Sequence, residues 1–458
     1  MKPIRTLLLG AVLVAAPLPG PAQDRTRDGT FTMALTGDAI ITRKLSVYGE
    51  PEFVRMLELI RGADAAFTNL EMLFHDFEPY PMHQSGGTYM RAEPALAKEL
   101  VWAGFDLVSM ANNHSGDYGV DGMRLTRRHA EAAGLVGAGT GENLAEAREP
   151  RFLETARGRV ALVSAASTFP EHSAAGRPRG AVRGRPGMSP LRHTRLRVVT
   201  RDQMERMRAL LTDMGLTVPR TGDTLRAFNE QLVVGERPAV RTIPNPDDVR
   251  EIAAAVRNAS RLAEHVIVSV HAHERGAKSA EPAEFLVTFA RAMVDAGADV
   301  FVGHGPHELR GIEIYKGKLI LYSLGDFMFQ NETVLRLPDE NYRQYGLDED
   351  QGVGDFNDTR YPNDARGFPS RREVWESVVA VARWRGEDLQ TVELHPITLG
   401  FGKPRPVRGR PMLADRELGR KIIGDLIERS QPFGTVIEWR DGTGVVRVGG
   451  DRPRAGLY

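Results

Sequence analysis

The sequence predicts an α/β fold, and two observations carry that reading. Short β-type runs alternate with segments of helical period from Phe31 to about Met328. Five of those runs end abruptly in acids, amides or histidines. In open α/β sheets, ligands bind in the crevice beyond the carboxyl ends of the strands, where the chain leaves the core while rigid elements still fix its position. The five polar clusters are therefore expected to meet in space although they are spread along most of the chain.

The first run, FTMALT (31 to 36), is followed by Gly37-Asp38. The second, ADAAFT (63 to 68), comes after a helical stretch beginning near Pro51 and leads into Asn69-Leu70-Glu71. DLVSM (106 to 110) follows a helix that Pro94 can open at its first turn, and continues as Ala111-Asn112-Asn113-His114. HVIVSV (265 to 270) is entered from a helix that starts Asn245-Pro246-Asp247-Asp248: a cap, a first-turn proline and two acids suited to the positive end of a helix. It leads into His271-Ala272-His273-Glu274. DVFV (299 to 302) opens into Gly303-His304-Gly305-Pro306-His307. Later, VWESVVAVARW (374 to 384) and TVELHPITL (391 to 399) read as strands returning to a sheet. A helix over 415 to 430 and a hairpin at Asp441-Gly442 finish the chain.

This pattern assigns residues 30 to 400 to one domain and 401 to 458 to an extension packed on it. Two segments interrupt the domain. Residues 171 to 201, with eight arginines and no acid from His172 onward, read as an insertion loop; residues 331 to 370, rich in Asp, Asn, Pro and Gly, read as a long surface excursion. Ahead of the domain, Lys2 and Arg5 precede the apolar run Leu7 to Ala16 and a Pro/Gly/Ala stretch, the order of a secretory signal cleaved near Ala22. That run is well short of the roughly 20 residues a spanning helix needs, so export without a lasting membrane anchor is expected.

Sixty basic and sixty acidic residues leave no net charge, which argues against a nucleic-acid partner. There is no cysteine, so disulfides and thiolate metal sites are excluded. A divalent metal would have to be held by carboxylates, amides and imidazoles. Asp38, Glu71, Asn113, His271, His304 and His307 supply that inventory for one or two ions. His271 and His273 are read as alternating across a strand end and pointing to opposite sides where the chain stays extended, so only one need face the site, and His271 is read as the ligand. His273 and Glu274 are read as groups that orient a ligand or hold substrate, with Asn69 and Asn112 beside them. Arg183, Arg185, Arg192 and His193 make the arginine-rich loop a candidate lid for anionic groups. His75 and His83, in a polar loop, are expected to be exposed, and His129 to be structural.

The strings TGDAIIT, TNLE, ANNHSGDYG, VSVHAHE and GHGPHELRGIEIYKGKLILYSLGDFMF, with SQPFGT in the tail, resemble the successive motifs of the bacterial capsule-synthesis CapA family, also called the poly-γ-glutamate capsule family. The resemblance implies a metallophosphatase-like four-layer sandwich, two β-sheets flanked by helices, with a metal centre at the strand ends. It makes Asp38 the first-motif aspartate, Asn113 the amide ligand, His271 and His304 the late histidine ligands, and His114 the catalytic acid for the leaving group. Manganese, iron or zinc would be the cofactor. The chain departs from that pattern where Ile40 replaces a histidine, where Glu71 is the nearest counterpart of a bridging aspartate, and where His271-Ala272-His273 and Gly325-Asp326 stand for His-Trp-Gly and Gly-Asn. Three functions stay open: a hydrolase of an anionic ester or amide in the cell envelope, an accessory protein that binds a capsule polymer together with capsule-assembly proteins, and a scaffold without activity.

Overall fold

The computed structural model describes residues 29 to 448, so the secretory-signal reading lies outside the described residues. In chain order the main elements begin with β1 (Thr30–Ile40), α1 (Pro51–Arg61), β2 (Ala65–Leu70), α2 (Ala97–Ala103), β3 (Leu107–Ser109), α3 (Gly119–Ala133) and β4 (Val136–Ala138). Next come β5 (Arg151–Thr155), β6 (Gly158–Ala166), β7 (His193–Val199), α4 (Arg201–Asp213), β8 (Thr224–Ala227), β9 (Glu230–Val234), β10 (Ala239–Pro244) and α5 (Pro246–Ala259). They continue through β11 (His265–His271), α6 (Glu284–Asp295), β12 (Val300–His304), β13 (Ile312–Tyr315), β14 (Lys318–Leu321) and β15 (Asp326–Phe329). The last are β16 (Glu376–Arg385), β17 (Asp388–Thr398), α7 (Arg416–Ser430), β18 (Ile437–Arg440) and β19 (Thr443–Val446).

Two sheets dominate. The first runs β18-β19-β17-β16-β1-β2-β3-β4, and the second runs β13-β14-β12-β11-β6-β5. Side-chain alternation along the strands decides what each face meets. Met33 and Leu35 of β1, Phe67 of β2, Ile267 of β11, and Val300 and Val302 of β12 point inward and form one core between the sheets. Their neighbours point outward. Ala34 and Ala66 pack under α1 and α2 with Phe53, Leu57 and Leu100, while Val266, Val268 and Phe301 pack under α5 and α6 with Ile252, Phe285 and Phe289. The result is four layers, helix, sheet, sheet and helix, as the resemblance implies. Of the three starts read from prolines, α1 begins at Pro51, a 3-10 turn from Pro94 to Leu96 leads into α2, and α5 begins at Pro246, where Asn245 accepts hydrogen bonds from the amides of Asp247 and Asp248.

β1 lies at a fork. Its first half, Thr30 to Leu35, pairs antiparallel with β16, and its last residues pair parallel with β15, with Asp38 opposite Asp326. Gly37 makes the fork possible: a Cβ there would meet the Gly325 carbonyl oxygen at 1.8 Å. The extension packs on the same body, with Ile422, Ile423 and Leu426 of α7 in the core between the sheets. Among the described residues no helix is long and apolar enough to cross a membrane.

The arginine-rich segment is not wholly a loop. Residues from His193 form β7, one of the two inner strands of a separate four-stranded sheet ordered β8-β9-β7-β10, closed by α4 through Met204, Leu211, Leu225 and Leu232. Its run of Val198, Val199 and alternating arginines suits a strand with one wet face. His75 is also corrected: it is buried against Tyr118, with ring centroids 4.3 Å apart, whereas His83 is exposed.

Candidate metal centre

The carboxyl ends of β1, β2, β11 and β12 and the start of β15 bring acids and histidines together in the interior. Asp38 Oδ2 accepts the Gly305 amide at 2.8 Å, and its Oδ1 accepts Asn69 Nδ2 at 2.7 Å. His271 Nδ1 and His304 Nδ1 lie 3.0 Å apart and 3.6 and 3.3 Å from that same Oδ1. His304 Nε2 is bonded to Ser269 Oγ at 2.7 Å, which leaves Nδ1 free to serve as a ligand. On the other side, His271 Nε2 is 3.0 Å from His273 Nε2 and 3.7 Å from Glu71 Oε1. His307 Nδ1 donates to Asp326 Oδ1 at 2.9 Å. Three overlapping sets of ligand atoms result: Asp38, His271 and His304; Glu71, His273 and His307; and Asp38, Glu71, His307 and Asp326.

Electrostatics state what this cluster lacks. Asp38, Glu71, Asp117 and Asp326 are all fully buried. Burial and the neighbouring Asp38, Asp326 and Asp117 push Glu71 well above the usual carboxylate range. Burial, only partly offset by His307, pushes Asp326 up to about 6. Asp38 goes the other way: burial opposes its charge, but His271 and His304 hold it well below its ordinary value. Burial also lowers His271 to about 4 and depresses His273, so both are neutral imidazoles with lone pairs to offer. Neither carboxylate oxygen of Glu71 has a hydrogen-bond partner, and Asp326 Oδ2, Asn69 Oδ1 and Asn113 Oδ1 have none either. Each buried carboxylate left uncompensated costs several kcal/mol. Unpartnered oxygens facing neutral imidazoles are the donor set that a divalent cation takes. The residues fit such an ion.

A cleft of about 270 Å³ opens over Glu71, with Asn113, His114, His273 and His307 in its walls. His114 stands at its edge with Nε2 3.7 Å from Glu71 Oε1, and its Nδ1 is held by Asp117 Oδ2 at 2.7 Å. Asp117 also accepts the amides of Gly86 and Met90, each at 2.9 Å, and so ties the loop between β2 and α2 to the histidine.

A family model described as bacterial capsule synthesis protein, PGA_cap, matches residues 32 to 331, a span that includes every residue of this cluster. The chain belongs to the PGA_cap family. An uncharacterized protein y4sH of Sinorhizobium fredii is 38% identical over 439 residues, 91% of this chain and 93% of that one. The capsule biosynthesis protein CapA of Bacillus anthracis is 25% identical over 354 residues, 74% of this chain and 71% of that one. Among solved structures, a putative 5'-nucleotidase of Staphylococcus aureus aligns at 13% identity with a TM-score of 0.32, covering 65% of this chain and 49% of that one.

Within this PGA_cap chain the predicted residues divide. Asp38, Asn69, Glu71, Asn113, His114, His271, His273, His304 and His307 are gathered at the cluster or its cleft. Residues two apart on a strand share a face, so His271 and His273 are not divided between faces, and both imidazoles reach the centre. Asn112 instead holds the turn, donating to the Leu70 carbonyl at 2.8 Å and accepting the His114 amide at 3.1 Å. The Glu274 carboxylate is taken up by Ser167 at 2.6 Å and Thr168 at 2.9 Å. Arg183 is exposed, Arg185 donates to the Ala174 carbonyl at 2.8 Å, Arg192 pairs with Asp248 at 2.7 Å, and His193 stacks on Phe285 at 4.4 Å. None of these four lines the cleft. Sequence reasoning missed Asp117 and Asp326, although both sit inside quoted motifs. It also missed Arg360 and Arg371, which reach the cleft from the polar excursion.

Proposed function

We propose that this PGA_cap chain is an exported, metal-dependent hydrolase of the cell envelope that acts on an anionic ester or amide in capsule or poly-γ-glutamate metabolism. The single observation behind the reading is the buried Glu71 carboxylate, unpartnered among Asp38, Asp326 and the neutral imidazoles of His271 and His273. Asp38, His271 and His304 would hold one ion, and Glu71, His273 and His307 would hold a second, with Asp326 within reach of Asp38, Glu71 and His307. Manganese, iron or zinc would suit the mixed oxygen and nitrogen donors. When bound, such an ion polarises the reacting oxygen and lowers the pKa of water.

The protein's own groups do the rest. Asp117 fixes the His114 ring by accepting from Nδ1, which leaves Nε2 at the cleft edge to deliver a proton to the departing oxygen or nitrogen. Asn113 holds the Gly86 carbonyl at 3.0 Å with its amide nitrogen and offers its oxygen to the centre.

Elemental analysis of the purified protein beside Asp38→Ala and His304→Ala tests the reading. One or two equivalents in the parent, lost in both variants, support it and direct a screen of phosphate esters and glutamyl amides. A parent that holds no ion after reconstitution sinks it. One observation favours a second reading, an accessory protein that binds polymer without turnover: buried Ile40 lines the cleft at the position where a metallophosphatase has a histidine. Metal retention with polymer binding and no hydrolysis of any screened ester or amide would favour that alternative.

A further inference from the structure

The polar excursion is fastened to the sandwich. Arg408 bonds Glu332 at 2.6 and 2.7 Å, Asn357 Nδ2 donates to the Glu332 carbonyl at 3.0 Å, and Trp375 Nε1 donates to the Phe368 carbonyl at 2.9 Å. So held, the helix Val353–Arg360 delivers its last residue to the cleft. The Arg360 guanidinium lies 5.0 Å from the Tyr361 ring centroid and 5.8 Å from that of Phe356, and its Nη1 donates to Thr88 Oγ1. Thr88 follows Gly86, which packs on the Asn113 backbone, and Gly87, which lies beside the proton-delivering histidine: a Cβ on Gly87 would touch His114 Cε1 at 3.7 Å.

Charge separates Arg360 from the other arginine here. Arg371 is neutralised by Glu373 at 2.9 Å and Glu308 at 3.6 Å. Among the described residues no carboxylate pairs with Arg360, and of its side-chain donors only Nη1 is engaged. The ordinary explanation is a solvated surface arginine. Against it stand its partial burial, its two aromatic supports and its fixed place one residue from the His114 wall. Apart from the two arginines, the titratable groups that line the cleft are Glu71, His114, His273 and His307, and the Glu71 carboxylate repels an anion unless a cation offsets its charge.

We propose that Arg360 selects the substrate by holding a second anionic group, carboxylate or phosphate, beside the group that reacts over Glu71. This rests on the hydrolase reading of the same cleft. The cleft volume of about 270 Å³ lies below the ~300–1,000 Å³ usual for drug-sized ligands, so the recognised portion is compact: a small dianion or the anionic end of a chain. A guanidinium matches either anion with paired N–H donors, which lysine cannot do.

Calorimetric titration of the metal-loaded protein with γ-glutamylglutamate and with glycerol 3-phosphate tests this in the parent, Arg360→Met, Arg360→Lys and the exposed control Arg226→Met. One probe should bind the parent and lose about 10–100-fold in Arg360→Met, the worth of one charged hydrogen-bonded contact. Arg360→Lys should recover part of that loss, and Arg226→Met should match the parent, with metal content and Tm unchanged throughout. Whichever probe shows the loss identifies carboxylate or phosphate as the anion. Equal binding by parent and Arg360→Met with metal retained overturns the proposal, and so does a metal-loaded parent that binds neither probe. Arg360-dependent binding without turnover of any ester or amide would dispose of the hydrolase reading alone.

Discussion

Replacing Glu71 by glutamine keeps the shape of a fully buried side chain and removes one charge, so its effects on the metal-free and metal-loaded protein should have opposite signs. Without metal, burial and three neighbouring carboxylates raise the Glu71 pKa. The folded protein then keeps a proton that the unfolded chain releases, and this contribution to stability, complete below the ordinary carboxylate pKa, is lost as pH rises. Glu71→Gln has no such proton, so its metal-free Tm should fall less than that of the parent between pH 5 and 8. With metal at a thousandfold excess over Kd, the parent gains about 4 kcal/mol, or roughly 4 °C in a chain of this size. Loss of one carboxylate ligand, taken as about 100-fold in affinity, leaves about 1.4 kcal/mol and roughly 1.5 °C. Scanning calorimetry with and without manganese or zinc reads both halves. An unchanged metal-induced rise in the variant would mean that Glu71 is not a ligand.

Three further outcomes follow from the geometry. Asp117→Asn keeps an acceptor for the loop amides but removes the charge that steadies His114; turnover should drop about 10²–10⁴-fold with metal content unchanged, and loss of metal instead would make Asp117 a structural prop of the centre. His75, whose pKa burial and then Arg91 lower to about 4, is neutral in the fold while the unfolded chain takes up a proton near 6.5. Its share of stability is present above pH 6.5 and is lost as pH falls from 6.5 through 4, worth about 1–2 kcal/mol after allowing for screening. His75→Gln should flatten the fall of Tm between pH 7.5 and 5, and an identical slope in both proteins would refute the assignment. Arg408→Met strips a buried Glu332 of its main partner and should cost about 3–5 kcal/mol in urea unfolding while exposing the excursion to limited proteolysis; uniform resistance to protease would contradict the fastening described above.

What could be read from the chain alone was set by residue chemistry at strand ends. An apolar run that stops at Gly37-Asp38, Asn69-Leu70-Glu71 or His271-Ala272-His273 leaves few structural reasons for those residue types, so the convergence was legible before any coordinates. Asp117 was hidden because it acts through His114 from a turn, three residues on, where an aspartate has ordinary work as a cap. Asp326 was hidden because its place opposite Asp38 depends on a parallel pairing between strands at the two ends of the family match, which no local pattern encodes. Arginine density drew attention to residues 171 to 201, yet density says nothing about pairing. Arg192 is consumed by Asp248, whereas Arg360, in an undistinguished polar stretch, reaches the cleft unpaired. The small sheet begun by β7 was masked by the same arginines, since the apolar partners that close it lie in later strands and a helix.

The fork at β1 joins what lies inside the shared family region to what lies beyond it. On one side of that strand, its opening half borders β16 and everything that follows, while its closing half borders β15, two residues before the shared family region ends. The matched span carries both partners of the Asp38 pairing, while β16, from the later chain, covers the other half of the same strand. The acids and imidazoles of the centre thus all lie within residues 32 to 331, and the chain that follows adds Arg360 and Arg371 to the wall of the cleft. A substitution at either arginine therefore changes the charge of that wall without altering any of the acids or imidazoles gathered at the strand ends.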